Sequence, residues 1–339
     1  MLIYANTNQR IPLADIAEHA RRAERIGYDG LNVPEAVHDG LLASSLALQA
    51  TTTLRVATSV LVAFTRSPMT TAVAAWDLQA YSKGRFELGL GAQVRGNVED
   101  RYGAAWSPPV ARMREFVGAI RATFACWQNG EKLAFEGEHY KLTRMQPFFA
   151  PEPLDVGPVP IFLGAVGPRM TTLAGEVADG LVTHPTNTHP RYLREVIQPR
   201  LAKGATRGQR GDAKVSLKVG PICSVGRDQA AIDAQREEKR RSLAFLYSTP
   251  QYWPSLDLFG WGDRGKALHQ LTRENRWKDL PEVLDDEMLD TFLLAGTYDE
   301  LPGILRSTYE ALAEAIVFPM PEDPADDNLA ARAIAVLRG

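Results

Sequence analysis

Several patterns that mark common functional classes are missing from this chain. Only two cysteines, Cys126 and Cys223, occur in 339 residues. With no C-x-x-C pair they argue against a disulfide framework and against a cysteine zinc site. No charge of one sign predominates: 38 Lys and Arg face 41 Asp and Glu, a formal net charge of −3. Such a balance gives no general attraction to nucleic acid or to anionic membranes. Long apolar runs are missing as well, none approaching the roughly 18 residues of a membrane helix. The opening MLIYANTNQR has neither the basic start nor the apolar stretch of a secretory signal. A cytoplasmic protein that acts on small molecules is therefore expected. The six histidines show no H-E-x-x-H or H-x-H spacing, so no metal site is expected. A G-x-S-x-G nucleophile elbow and a strand-G-x-G-x-x-G-helix fingerprint are absent too, which argues against an elbow hydrolase and against an open dinucleotide-binding sheet.

What is present is a large stock of core-forming residues, 45% hydrophobic against 23% charged, arranged in short alternating runs. Apolar strands read at residues 2–5, 31–33, 54–64, 86–90, 161–163, 181–183, 215–223 and 315–318. Helical spacing follows them, as in Leu13, Ile16, Ala17, Ala20 and Ala23 ahead of Gly27, and again over 41–50, 69–81, 110–127, 168–177, 191–201, 228–246, 298–312 and 328–337. Strand followed by helix about eight times is the signature of a closed parallel barrel, so the expected fold is a (β/α)8 TIM barrel, residues 1–339 forming one domain. Two stretches break the alternation, after strand 4 (92–109) and after strand 7 (247–284). The second is rich in Trp, Pro, Asp and Arg and reads as a lid or wall.

Three segments place unusual residues just beyond strand ends, the face on which such barrels carry their chemistry. VPEAVHDG holds Glu35, His38 and Asp39: a histidine suits proton transfer near neutral pH, and a neighbouring carboxylate can orient its ring. SKGRFELGLGAQVRGN has Gly89 and Gly91 in a strand, where missing side chains would let a flat ring approach the backbone, followed by the amides of Gln93 and Asn97. IFLGAVGPRM runs from a strand through Gly164 and Gly167 into a helix at Pro168. Helix N–H groups and Arg169 there suit a phosphate. His184, in LVTHPTNTHP, follows the next strand and is the alternative to His38.

ARRAERIGYDGLNVPEAVHD, ATSVLVAFTRSPMTTAVAAWDLQAYSKGRFELGLGAQV and GAVGPRMTTLAGEVADGLVTHP, in this order over nearly the whole chain, resemble the luciferase-like monooxygenase superfamily, and more closely its branch that uses coenzyme F420. FLYSTPQYWP is similar to a mark of one F420-dependent subfamily. The resemblance implies an oxidoreductase that transfers hydride between coenzyme F420, a deazaflavin, and a small organic substrate. The alternatives are an FMN-dependent monooxygenase and a barrel that binds without catalysing. It also implies a cis peptide at Ser59–Val60 behind the ring, ring-edge contacts near Gly91, Gln93 and Asn97, and a phosphate site at Ala165, Val166 and Gly167. His38 would be the active-site histidine, with His184 near the cofactor. A homodimer is expected. One departure matters: GAQVRGN lacks the glutamate that sugar-phosphate dehydrogenases of this family carry shortly after the G-x-G, so their acid and substrate do not transfer.

Overall fold

A computed structural model describes residues 1–211 and 214–339. Eight parallel strands close on themselves: β1 (Leu2–Asn6), β2 (Gly30–Val33), β3 (Arg55–Thr58), β4 (Phe86–Gly91), β5 (Ile161–Gly164), β6 (Gly180–Val182), β7 (Ser216–Val219) and β8 (Ala315–Val317). Closure is made by β8 against β1, with Leu2 opposite Ala315 and Tyr4 opposite Val317. The fold is therefore the expected (β/α)8 barrel. Helices α1 (Ile16–Ile26), α2 (Gly40–Ala50), α3 (Pro68–Tyr81), α4 (Pro109–Asn129), α5 (Pro168–Val177), α6 (Gln198–Arg207) and α7 (Gln229–Tyr247) follow the first seven strands. Among the described residues no helix is long and apolar enough to cross a membrane.

Local sequence explains most element ends. On α1 the buried residues are Ile16, Ala20, Ala23 and Ile26, one face at helical spacing, and Gly27 stops the helix at φ 104°, a left-handed value that only glycine adopts cheaply. Asp39 caps α2 by accepting the N–H groups of Leu41 (2.9 Å) and Leu42 (3.0 Å), and Ser67 caps α3 through the N–H of Thr70 (3.0 Å), with Pro68 in the first turn.

Between strands and helices lies the main core, including Ile3, Leu31, Val56, Phe86, Ile161 and Leu181. Each such side chain contributes about 1.5–3 kcal/mol by leaving water. The inside of the barrel is built differently. Gly30 and Gly180 leave room for the rings of Tyr4 and Phe162, since a Cβ would fall 2.2 Å from the first and 2.4 Å from the second. Between those rings sits the Lys218 ammonium, 4.2 Å and 4.1 Å from their centroids, paired with the buried Glu87 carboxylate. Tyr4 donates its hydroxyl to Glu87 at 3.0 Å. Burial draws Lys218 below its ordinary range, and Glu87 opposes the shift. Removing Glu87 would leave the Lys218 charge buried alone, typically a loss of about 3–5 kcal/mol, whereas Glu87 without Lys218 would keep the exposed Arg55 at 3.5 Å and the Tyr4 hydroxyl.

Three departures from the sequence reading stand out. The run 54–64 is not one strand: it breaks after Thr58 at a cis Ser59–Val60 peptide, and resumes at Leu61–Val62 to pair again with Leu90 and Gly91. The run 215–223 is two strands. Pro221 has no N–H for a ladder, and beyond it Ile222–Gly226 leaves the barrel to pair with Leu293–Thr297. Residues 130–160 form a third excursion, with a short hairpin (Phe135–Glu136 with Lys141–Leu142) that periodicity did not announce.

Candidate active site

All strands run the same way, so the segments that follow β1 to β8 meet at one mouth. The break in β3 is central to it. Gly89, Gly91 and Gly164 turn toward Val60: a Cβ on Gly91 would come within 2.5 Å of the Val60 Cγ2, and one on Gly164 within 3.0 Å of Cγ1. On Gly89 a Cβ would strike the Thr58 carbonyl oxygen at 2.0 Å. The expectation that these glycines admit a flat ring is thus corrected. The space above Gly91 is taken by the Val60 side chain, which with Ser59 is half-buried and forms the floor of the mouth.

The loop after β2 is tied to that floor. Glu35 accepts the Val62 N–H at 2.6 Å and pairs with Arg66, which also donates to Asp39 at 2.6 Å. Burial works against the Arg66 guanidinium, but its bonds to Asp39 and Glu35 outweigh that and hold it above its ordinary range. For Asp39, burial pushes upward, while the Leu42 and Leu41 N–H groups and Arg66 bring the carboxyl below its usual range. Arg101, in the insertion after β4, donates to the Ala36 carbonyl from the other side. Both Glu35 oxygens are thus engaged, and among the described residues no hydrogen bond joins Glu35 to His38. His38 itself is half-buried and makes no side-chain hydrogen bond to another described residue.

After β4, Gln93 adopts φ 59°, unusual for a residue with a side chain, and its Oε1 accepts the Val94 N–H and the Asn97 Nδ2, both at 3.0 Å. The two amides form one cluster that leaves the Gln93 Nε2 and the Asn97 Oδ1 toward solvent.

Past β5, Ala165 is buried and its carbonyl accepts the Asn187 Nδ2 at 3.1 Å. Val166 and Gly167 are half-buried, Gly167 opens α5 with no side-chain cap, and a Cβ there would meet nothing within 4 Å. Arg169 is exposed. Open space before uncapped helix N–H groups, with a cation beside them, suits an anion.

The segment after β6 joins the mouth to the second insertion. His184 Nδ1 contacts the Thr186 hydroxyl (2.9 Å) and accepts the Thr186 N–H (3.4 Å), so Nε2 carries the proton; the ring stacks on Tyr252 with centroids 4.3 Å apart. Burial pushes its pKa down to about 4. His189 packs edge-on against Phe259 at 4.7 Å, and Arg191 donates to the Leu258 carbonyl at 3.2 Å. Leu256, Leu268 and Leu280 of the insertion form a second apolar core together with Met288 and Phe292, which follow it. Sequence reasoning missed Arg66, Arg101 and Asn187, whose partners lie 31, 65 and 22 residues away.

The profile of the luciferase-like monooxygenase family matches residues 3–315. The chain belongs to that family. Among its luciferase-like relatives, an uncharacterized protein of Mycobacterium tuberculosis is 42% identical over 306 residues, covering 90% of this chain and 89% of the relative. Two solved structures share the fold. The coenzyme F420 dependent tetrahydromethanopterin reductase from Methanopyrus kandleri superposes with a TM-score of 0.77 at 19% identity, covering 98% of this chain and 96% of the other. The oxygenating constituent of 3,6-diketocamphane monooxygenase from Pseudomonas putida, in complex with FMN, does so at 0.70 and 15%, covering 100% and 98%. The first of these neighbours is described as F420 dependent and the second is in complex with FMN.

Proposed function

We propose that this protein is a cytoplasmic oxidoreductase that uses coenzyme F420 to exchange hydride with a small organic substrate. The observation that supports the reading is the uncapped helix start at Ala165–Gly167, open around Gly167, which follows a barrel strand as do the half-buried Ser59 and Val60 and the half-buried His38. Its assignment to F420 rests on the resemblance to the deazaflavin branch and on the M. kandleri fold neighbour. The residues suit such a group, because an uncapped helix start with open space at Gly167, the Ser59–Val60 break and the Gln93 and Asn97 amides all follow barrel strands.

In this reading the N–H groups of Val166 and Gly167, the start of α5 and Arg169 hold the cofactor phosphate. Ser59 and Val60 support one face of the ring, and the Gln93 Nε2 and Asn97 Oδ1 meet its polar edge. When bound, the deazaflavin supplies a carbon that gives or takes hydride and reacts poorly with oxygen. His38 carries the proton that accompanies that transfer, its loop held by Glu35, Arg66 and Asp39. His184, neutral and stacked on Tyr252, gives the mouth a fixed N–H donor at Nε2 and closes it against water. The chain pairs as a homodimer through α2 and α3, whose exposed Leu42, Val73 and Tyr81 are accompanied by one charged residue, Asp77.

Titration with F420 and with FMN under the same salt, read by fluorescence, tests the assignment. Tighter binding of F420 is expected, and His38→Ala should lower F420-linked turnover about 10²–10⁴-fold while leaving its affinity within a few-fold. Preference for FMN with oxygen-dependent turnover would establish the monooxygenase reading instead. The FMN-bound fold neighbour makes that comparison the informative one.

A further inference from the structure

Outside the barrel, α4, α5 and α6 enclose a groove of about 380 Å³ that shares only the start of α5 and Arg169 with the proposed cofactor site. Its shape follows from two glycines. A Cβ on Gly204 would lie 2.0 Å from the Thr172 carbonyl oxygen, and one on Gly175 would lie 2.1 Å from that of Leu201, so α5 and α6 touch backbone to backbone. Side chains on their outer faces therefore stand side by side. On α6 these are Arg200, Lys203 and Arg207, spaced i, i+3 and i+7 along one helix face. At about 1.5 Å of rise per residue the row extends roughly 10 Å. Arg114 and Arg169 complete the lining, so five basic groups face one acid, Glu176, in a chain whose formal net charge is −3.

That acid is already spent. Arg114 holds Glu176 with two bonds, Nε at 2.7 Å and Nη2 at 2.9 Å. Arg200 donates to a carbonyl on its own helix, that of Val196, at 2.9 Å. Among the described residues, Arg169, Lys203 and Arg207 meet no carboxylate within 4.0 Å. Unpaired like charges crowded along one wall repel one another, and a groove that keeps them is stabilised by a ligand of opposite sign. We infer that this groove binds a short linear polyanion, a molecule with three or so carboxylates or phosphates in a row, lying along α6. A single phosphate would meet only one part of a 10 Å row. The groove and the proposed cofactor site share the start of α5 and Arg169, but Lys203 and Arg207 belong to the outer helix and not to the mouth, so variants there separate the two.

Isothermal titration of the intact protein with tripolyphosphate, with a triglutamate peptide and with orthophosphate tests it. Saturable binding of tripolyphosphate or triglutamate is expected, whichever is tighter naming the anionic group, with orthophosphate at least tenfold weaker. The double variant Lys203→Glu/Arg207→Glu should weaken the polyanion at least tenfold, and added salt should weaken it steeply in the native chain. Thermal melting and F420 titration of that variant should match the native protein, which separates the groove from the mouth. Absence of saturable polyanion binding, or equal binding by the native and double-variant proteins, would overturn the inference.

Discussion

The Val60 side chain fills the space over Gly91 so closely that a Cβ there would sit 2.5 Å from its Cγ2. A methyl group on Gly91 must therefore push Val60 up into the mouth. Gly91→Ala is expected to leave the barrel folded, at a cost of about 1–3 kcal/mol for overpacking, and to weaken cofactor binding by at least tenfold. Gly89→Ala is a sharper case, since the added carbon meets a carbonyl oxygen at 2.0 Å, and it should destabilise more than Gly91→Ala. Chemical denaturation of both variants, with a cofactor titration of the first, checks the pair. Native-like affinity in Gly91→Ala would show that Val60 is not the floor.

Glu35 ties the histidine loop to the floor, and its loss should be felt as stability before chemistry. Glu35→Gln keeps an oxygen for the Val62 N–H but removes the charge facing Arg66, and Asp39 remains as that cation's other partner. A loss of about 1–3 kcal/mol is expected from urea unfolding. If Glu35 instead carried the reaction's proton, turnover would collapse with the unfolding midpoint unmoved.

How much of this was readable beforehand depends on whether the information was local. All eight barrel strands left a mark, because a strand covered on both faces, such as IFLG in β5, reads as a continuous apolar run, and even FELGLG in β4 is broken only by the buried Glu87. The loops of the mouth were marked by glycines and polar residues at strand ends. What those residues touch was not. Gly91 looks like an opening in one dimension and is a socket for Val60 in three, 31 positions away in the chain. Likewise Glu35 reads as a carboxylate that orients the His38 ring until Arg66 arrives from the far side of β3. The polar-looking text of the second insertion hid a core because Leu256, Leu268 and Leu280 sit on separate helices, of which the first and last have only 5 and 4 residues.

His184 gives a pH signature. Its folded pKa is pushed from 6.5 down to about 4, so between these values the unfolded chain holds more protons than the folded one. Its contribution to stability is present above pH 6.5 and is lost progressively as pH falls toward about 4. Melting temperatures of His184→Gln should accordingly fall less steeply than those of the native chain over that window. Histidine-selective NMR should show the His184 ring neutral, with its proton on Nε2, throughout the neutral range. Titration of that ring near 6.5 would contradict the buried, Tyr252-stacked placement.

The central claim is that the open helix start at Ala165–Gly167 receives the cofactor phosphate, and its most direct test is a fluorescence titration of F420 into Gly167→Asp. The site has room for that side chain, with nothing within 4 Å of its Cβ, so folding should survive and circular dichroism should show it. A carboxylate would then occupy the place of the anion and cap the very N–H groups that should hold it. The account predicts a loss of F420 affinity of at least a hundredfold in a folded protein. Unchanged affinity in that variant would contradict it and move the phosphate to another part of the mouth.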